Sequence, residues 1–170
     1  GWFYPAEYIP AKELPDEEYP LMLTTGRILY HYTTRAMTGR TPGLMEISGH
    51  SFIEVNSEDA KALGIVDGER IRVKSRRGEI TSEARVSEKT SPGEVWMPFH
   101  FPDGDANWLT NPALDKFARI PEYKVCACRL EKIPDSEAYD EDGNYITQAM
   151  VAEQVQAKLK ATVASLMPTE

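Results

Sequence analysis

The sequence has 170 residues, 27% charged and 41% hydrophobic, which allows one globular domain with a real core and excludes a disordered chain. A net charge of −8 and a pI near 5.0 exclude broad, sequence-independent binding to nucleic acid, which needs a basic surface. No apolar run approaches the ~20 residues of a membrane-spanning helix. The first residue is Gly, so the chain is expected to be processed, tagged or cut from a longer protein.

Residues 1–19 hold three prolines and no period of either kind. They read as an extended arm laid on a surface, with Trp2, Phe3 and Tyr4 as anchors. From 20 to 133 the signals are those of short strands. The run Leu21-Met22-Leu23 feeds Thr24-Thr25-Gly26-Arg27, and a loop dense in hydroxyls and guanidinium groups follows. Ser51 to Asn56 alternates, as a half-buried strand does. A short helix then has Ser57 as its cap, Glu58 and Asp59 in its first turn and Gly64 just past its end. The next two runs alternate around Arg76-Arg77-Gly78 and predict a hairpin, with Ile71 and Val73 on one side and Arg70, Arg72 and Lys74 on the other. Glu94 to Pro98 and Tyr123 to Leu130 complete a set that implies a β-barrel or sandwich. Beyond 134 come an acidic linker and, over 145–167, apolar residues at helical spacing that predict an amphipathic helix.

Cys126 and Cys128 lie two apart on one strand face, which suits core residues better than a disulfide or a metal site. Their use leaves the redox compartment leaning to the cytosol. The Asp103–Asn107 and Asp140–Asn144 stretches resemble calcium loops but lack Gly at the sixth position and an acid at the twelfth. No P-loop, dinucleotide fingerprint or nucleophile elbow is present. The loop after Thr25 offers more. Gly26 would let the backbone approach a ligand closely, and Arg27 and Arg35 could clamp a phosphate. Tyr30, His31 and Tyr32 supply planar faces and donors. Asn107 carries the amide needed to read a heterocycle edge. Taken alone, these features fit a small anionic ligand or a merely basic surface loop equally well.

Six stretches in order narrow this: YPLMLTTGR (19–27), HYTT (31–34), VNSEDAKALGI (55–65), KSRRG (74–78), ANWLT (106–110) and PEYKVCA (121–127). The series resembles the C-terminal dinucleotide-binding domain of the molybdopterin oxidoreductases, the dimethyl sulfoxide reductase family, and within it most resembles the formate dehydrogenase alpha subunits. The resemblance covers about 15–133. It implies a mainly β fold, a double-psi β-barrel with short helices. It implies a bound molybdopterin guanine dinucleotide carrying molybdenum or tungsten, the metal being ligated from other domains. Thr25, Gly26, Arg27, Tyr30, His31, Tyr32 and Thr33 would line that cofactor, and Phe99, Asn107 and Lys124 match downstream contacts. No catalytic or metal-ligating residue of the family falls in this chain. The expected partners are the preceding domains of the same subunit and electron-transfer iron–sulfur subunits, without nucleic acid or membrane insertion; the expected compartment is the cytoplasm, with the periplasm open. The whole enzyme would oxidise formate to carbon dioxide. Two other readings stay open: a separate pterin-binding small subunit of the formylmethanofuran dehydrogenase type, and a double-psi barrel that is only an interaction module.

Overall fold

A computed structural model describes residues 1–134; the acidic linker and the helix expected over 145–167 lie outside the described residues. Six strands form a closed barrel: β1 (Leu21–Gly26), β2 (Phe52–Asn56), β3 (Arg70–Lys74), β4 (Glu79–Ser87), β5 (Glu94–Pro98) and β6 (Cys126–Lys132). Their order around the barrel is β1-β5-β2-β4-β3-β6. Strand β1 runs parallel to β5 and β2 parallel to β4, and the other four pairings are antiparallel. Exchanging β1 with β4, β2 with β5 and β3 with β6 returns the same set of neighbours and directions. The barrel is therefore two interlocked three-strand halves related by a pseudo-two-fold axis, the double-psi arrangement.

Closure buries one face of every strand. Leu23, Ile53, Val55, Ile71, Val73, Val95 and Met97 are fully buried and fill the interior. In the β3–β4 hairpin Ile71 and Val73 point inward as expected, while Arg72 and Lys74 stand outside in a ladder of ion pairs with Glu79 and Glu131. Arg70 departs from that pattern and is buried. Strand β2 also departs from the expected alternation, because all five of its residues are buried. Its outward residues are covered by side chains of the neighbouring strands and of the turn after β4. Phe52 lies between the Trp96 ring and the Arg85 guanidinium, and the Glu54 carboxylate accepts from Lys89 Nζ and Ser87 Oγ at 2.9 and 3.1 Å.

Helix α1 spans Pro42–Ile47 and α2 spans Ser57–Leu63. The cap of α2 is Asn56, not Ser57. The Asn56 amide oxygen accepts from Glu58 N–H at 2.9 Å, and the Ser57 hydroxyl turns to Glu88 instead. Gly64 ends the helix at φ 67°, the left-handed conformation that glycine adopts without a Cβ penalty.

The arm is fastened differently from the expectation. Trp2, Phe3 and Tyr4 are exposed. The hold lies at the other end, where carboxylates meet guanidinium groups and free backbone N–H donors. Glu13 pairs with Arg77 and accepts from Ala127 N–H, and Asp16 pairs with Arg76. Among the described residues no helix is long and apolar enough to cross a membrane.

Candidate functional site

Parallel neighbours end at the same rim of a barrel. Because Thr25 and Gly26 of β1 pair with Met97 and Pro98 of β5, the connections 27–51 and 99–125 leave from one rim side by side. Phe99 N–H donates to the Gly26 carbonyl at 3.2 Å. The exposed Arg27 guanidinium stacks over the Phe99 ring, 5.1 Å from its centre. Thr25 is buried; its hydroxyl donates to the Tyr123 carbonyl at 2.9 Å, and its own carbonyl accepts from Lys124 Nζ at 2.6 Å. Five residues separated by up to 99 positions are thus brought together: Thr25, Gly26, Arg27, Phe99 and Lys124.

Gly26 has a more specific reason than closeness to a ligand. A Cβ there would sit 2.5 Å from Trp96 Nε1, so the side expected to admit a ligand is filled by the indole. The glycine lets Trp96 close over the end of β1.

The rest of the loop is divided into an outward and an inward set. Tyr30, Tyr32 and Thr33 are exposed. His31 is buried: Nδ1 lies 2.9 Å from Thr38 Oγ1, and Nε2 lies 2.5 Å from the Ser48 carbonyl. A carbonyl can only accept, so Nε2 carries the proton and Nδ1 accepts from the Thr38 hydroxyl. Its ring also meets Phe101 edge-on at 5.3 Å. Arg35, expected beside Arg27 on a phosphate, is turned inward as well. It donates to the Gly49 carbonyl at 2.7 Å, pairs with Asp103 at 3.5 Å and covers the Phe101 ring. Thr33 at φ 49° and Arg35 at φ 64° both adopt the left-handed backbone region within this stretch.

On the other connection, Asn107 is exposed on the single turn Ala106–Trp108, and its own N–H donates to the Asp105 carboxylate at 2.9 Å. Asn111 is buried instead: its amide donates to the carbonyls of Glu122 and Val125 and so fixes the path into β6. That clamp explains why β6 starts at Cys126 rather than Tyr123. Asp103 accepts from Ser51 N–H at 3.0 Å besides pairing with Arg35, so the two carboxylates of this stretch serve the protein's own donors. Cys126 and Cys128 are free and buried, and burial pushes both thiols above their ordinary range.

Sequence reasoning missed His100, which joins the two connections. His100 is 1% exposed; Ile28 N–H donates to its Nε2 at 3.1 Å and its Nδ1 lies 2.5 Å from the Thr33 carbonyl. The available signal was its place between Phe99 and Phe101, since a histidine between two aromatic residues belongs to a packed interior.

The chain matches the family model described as the molydopterin dinucleotide binding domain over residues 21–127. It is 51% identical over 133 residues to the F420-dependent formate dehydrogenase subunit alpha of Methanocaldococcus jannaschii, covering 78% of this chain and 20% of that protein. It is 42% identical over 131 residues to the periplasmic nitrate reductase of Desulfovibrio desulfuricans, covering 77% and 17%. Acetylene hydratase from Pelobacter acetylenicus superposes with a TM-score of 0.63 at 17% identity, over 74% of this chain and 21% of that one, a likeness of fold. The chain spans about a fifth of the length of the formate dehydrogenase subunits it matches.

Proposed function

Because the chain belongs to the molydopterin dinucleotide binding domain family, we propose that the rim formed by 27–51 and 99–125 is the surface that takes the dinucleotide. The observation that carries this is the convergence of Arg27, Phe99 and Lys124 around the end of β1, produced by its parallel pairing with β5. The donor set fits such a group. A pterin guanine dinucleotide presents a pyrophosphate, two planar heterocycles and hydroxylated linkers. Arg27 offers an exposed, pre-stacked guanidinium, and Lys124 keeps two ammonium hydrogens beyond the one on Thr25. Tyr30, Tyr32 and Thr33 add exposed hydroxyls and faces, and the Asn107 amide matches the donor–acceptor edge of a guanine. His31 and Thr25 belong to the same wall as positioning groups, since their polar atoms bind within the chain.

When bound, the cofactor supplies two-electron redox chemistry at its metal. This chain's residues bind and orient its dinucleotide part and keep water from it. The domain is read as one part of a larger catalytic subunit that oxidises formate to carbon dioxide in the cytoplasm, passing electrons to iron–sulfur partners. The names of the relatives at 51% and 50% identity support formate as the substrate, and their greater length supports the larger subunit.

The test is to replace Arg27 and Lys124 by Ala in the full-length protein and measure released pterin dinucleotide and metal. Each variant should lose several-fold in occupancy with the fold, read by circular dichroism, unchanged. Normal content in both would remove this rim from the site.

A further inference from the structure

The stretch Tyr30 to Thr33, exposed except at His31, has no strand or helix of its own, and it carries an uncommon backbone conformation at Thr33. Such a stretch holds one shape only where its surroundings over-determine it. Three inward contacts do so: His31 on Ser48 and Thr38, Arg35 on Gly49 and Asp103, and the His100 imidazole reaching in from the second connection.

The last contact differs from the other two. Ile28 N–H can only donate, so Nε2 of His100 bears no proton; the Thr33 carbonyl can only accept, so Nδ1 bears it. The hydrogen-bond network thus assigns one neutral tautomer. In that tautomer a single ring satisfies a donor at the start of the loop and an acceptor five residues on, and it sets the distance between them. The ring is locked in turn: Phe99 packs on it at 4.9 Å and Phe101 meets it edge-on at 6.4 Å. Phe99 is the residue under Arg27. The same dipeptide therefore supports the guanidinium with one side chain and the loop with the next.

We propose that His100 is a positioning residue for the dinucleotide wall: its imidazole spans Ile28 and Thr33 and holds Tyr30, Tyr32 and Thr33 in the conformation that meets the cofactor. The proposal rests on the reading of this rim as the dinucleotide site. It assigns His100 no contact with the cofactor.

Hydrogen–deuterium exchange on the full-length protein reads the loop, and released pterin dinucleotide reads the cofactor. H100A should raise the uptake rate of peptides spanning 27–41 roughly five- to tenfold, the effect of losing about one net hydrogen bond, with the strands unchanged. Pterin content should fall several-fold. H100Q keeps an amide oxygen for Ile28 N–H and should recover both readouts in part. H100F fills the space without the polar atoms and should recover neither. Unchanged uptake in H100A, or rescue by H100F as good as by H100Q, overturns the proposal and reduces His100 to a packing residue. Faster uptake with normal pterin content overturns it too, because the loop conformation then has no bearing on the cofactor; loss of pterin in the Arg27 and Lys124 variants tests the rim separately. Should H100A fail to fold, the H100Q and H100F pair carries the test alone.

Discussion

The barrel has two rims that its pseudo-symmetry makes equivalent, and they differ sharply. The connection after β1 runs over 27–51, while its counterpart after β4 occupies only 88–93. The connection after β5 runs over 99–125 and carries Phe99, His100, Asn107 and Lys124; its counterpart after β2 is the helix α2 and a turn. The short rim closes on itself. Asn56 donates to the Thr90 carbonyl at 2.7 Å, Asp59 accepts from Gly93 N–H at 2.7 Å, and Gly93 makes its turn at φ 82°. The long rim also closes its inner layer but leaves cations, hydroxyls and an amide outside. Equivalent positions in one fold thus present different groups, because the strand framework fixes where a connection leaves and not what it presents.

That contrast makes the framework the place for the largest loss. Ile53 is fully buried in β2, the strand between β4 and β5, and Ile53→Ala should cost about 2–5 kcal/mol by removing buried carbons and leaving a cavity. Urea unfolding measures it. A loss below about 1 kcal/mol would mean that the barrel interior repacks and is not the rigid frame the two rims share.

The frame was the part best legible beforehand. Alternation marked the β3–β4 hairpin, and Gly64 marked the end of α2, because both signals are local. Closure was another matter. Nothing in Leu21–Gly26 tells that its parallel partner is Glu94–Pro98, since pairing across so long a separation is decided by the packed whole. The candidate site divides in the same way. Thr25, Gly26, Arg27, Phe99 and Lys124 could be named from the resemblance, and they do converge. Whether Arg35 and His31 face out or in was beyond reach, because their inward partners, the Ser48 and Gly49 carbonyls and Asp103, lie well along the chain and nothing local announces them.

Gly26 lies where frame and long rim meet, so its effect is intermediate and divides between them. Gly26→Ala places a methyl group 2.5 Å from Trp96 Nε1, and the indole must move. About 1–3 kcal/mol of stability should be lost to overpacking. The same shift disturbs Arg27 and Phe99, so pterin content of the full-length protein should fall as well. Adding Trp96→Leu makes room and should restore part of the stability. If stability in the double variant is simply the sum of the two single losses, Trp96 is not what the glycine accommodates.

The smallest effect separates the rims most cleanly. Asn56 caps α2 through its amide oxygen and holds the 88–93 connection through its amide nitrogen. Asn56→Ala removes both bonds at the short rim, and loss of the cap alone should cost about 1 kcal/mol. Asn56 belongs to β2, antiparallel to β5, so it ends at the rim opposite Phe99 and Arg27. Pterin content should therefore stay at the parent level while the unfolding midpoint falls. A variant that lost cofactor in proportion to stability would show that the two rims are coupled through the barrel, and the division of labour between them would have to be given up.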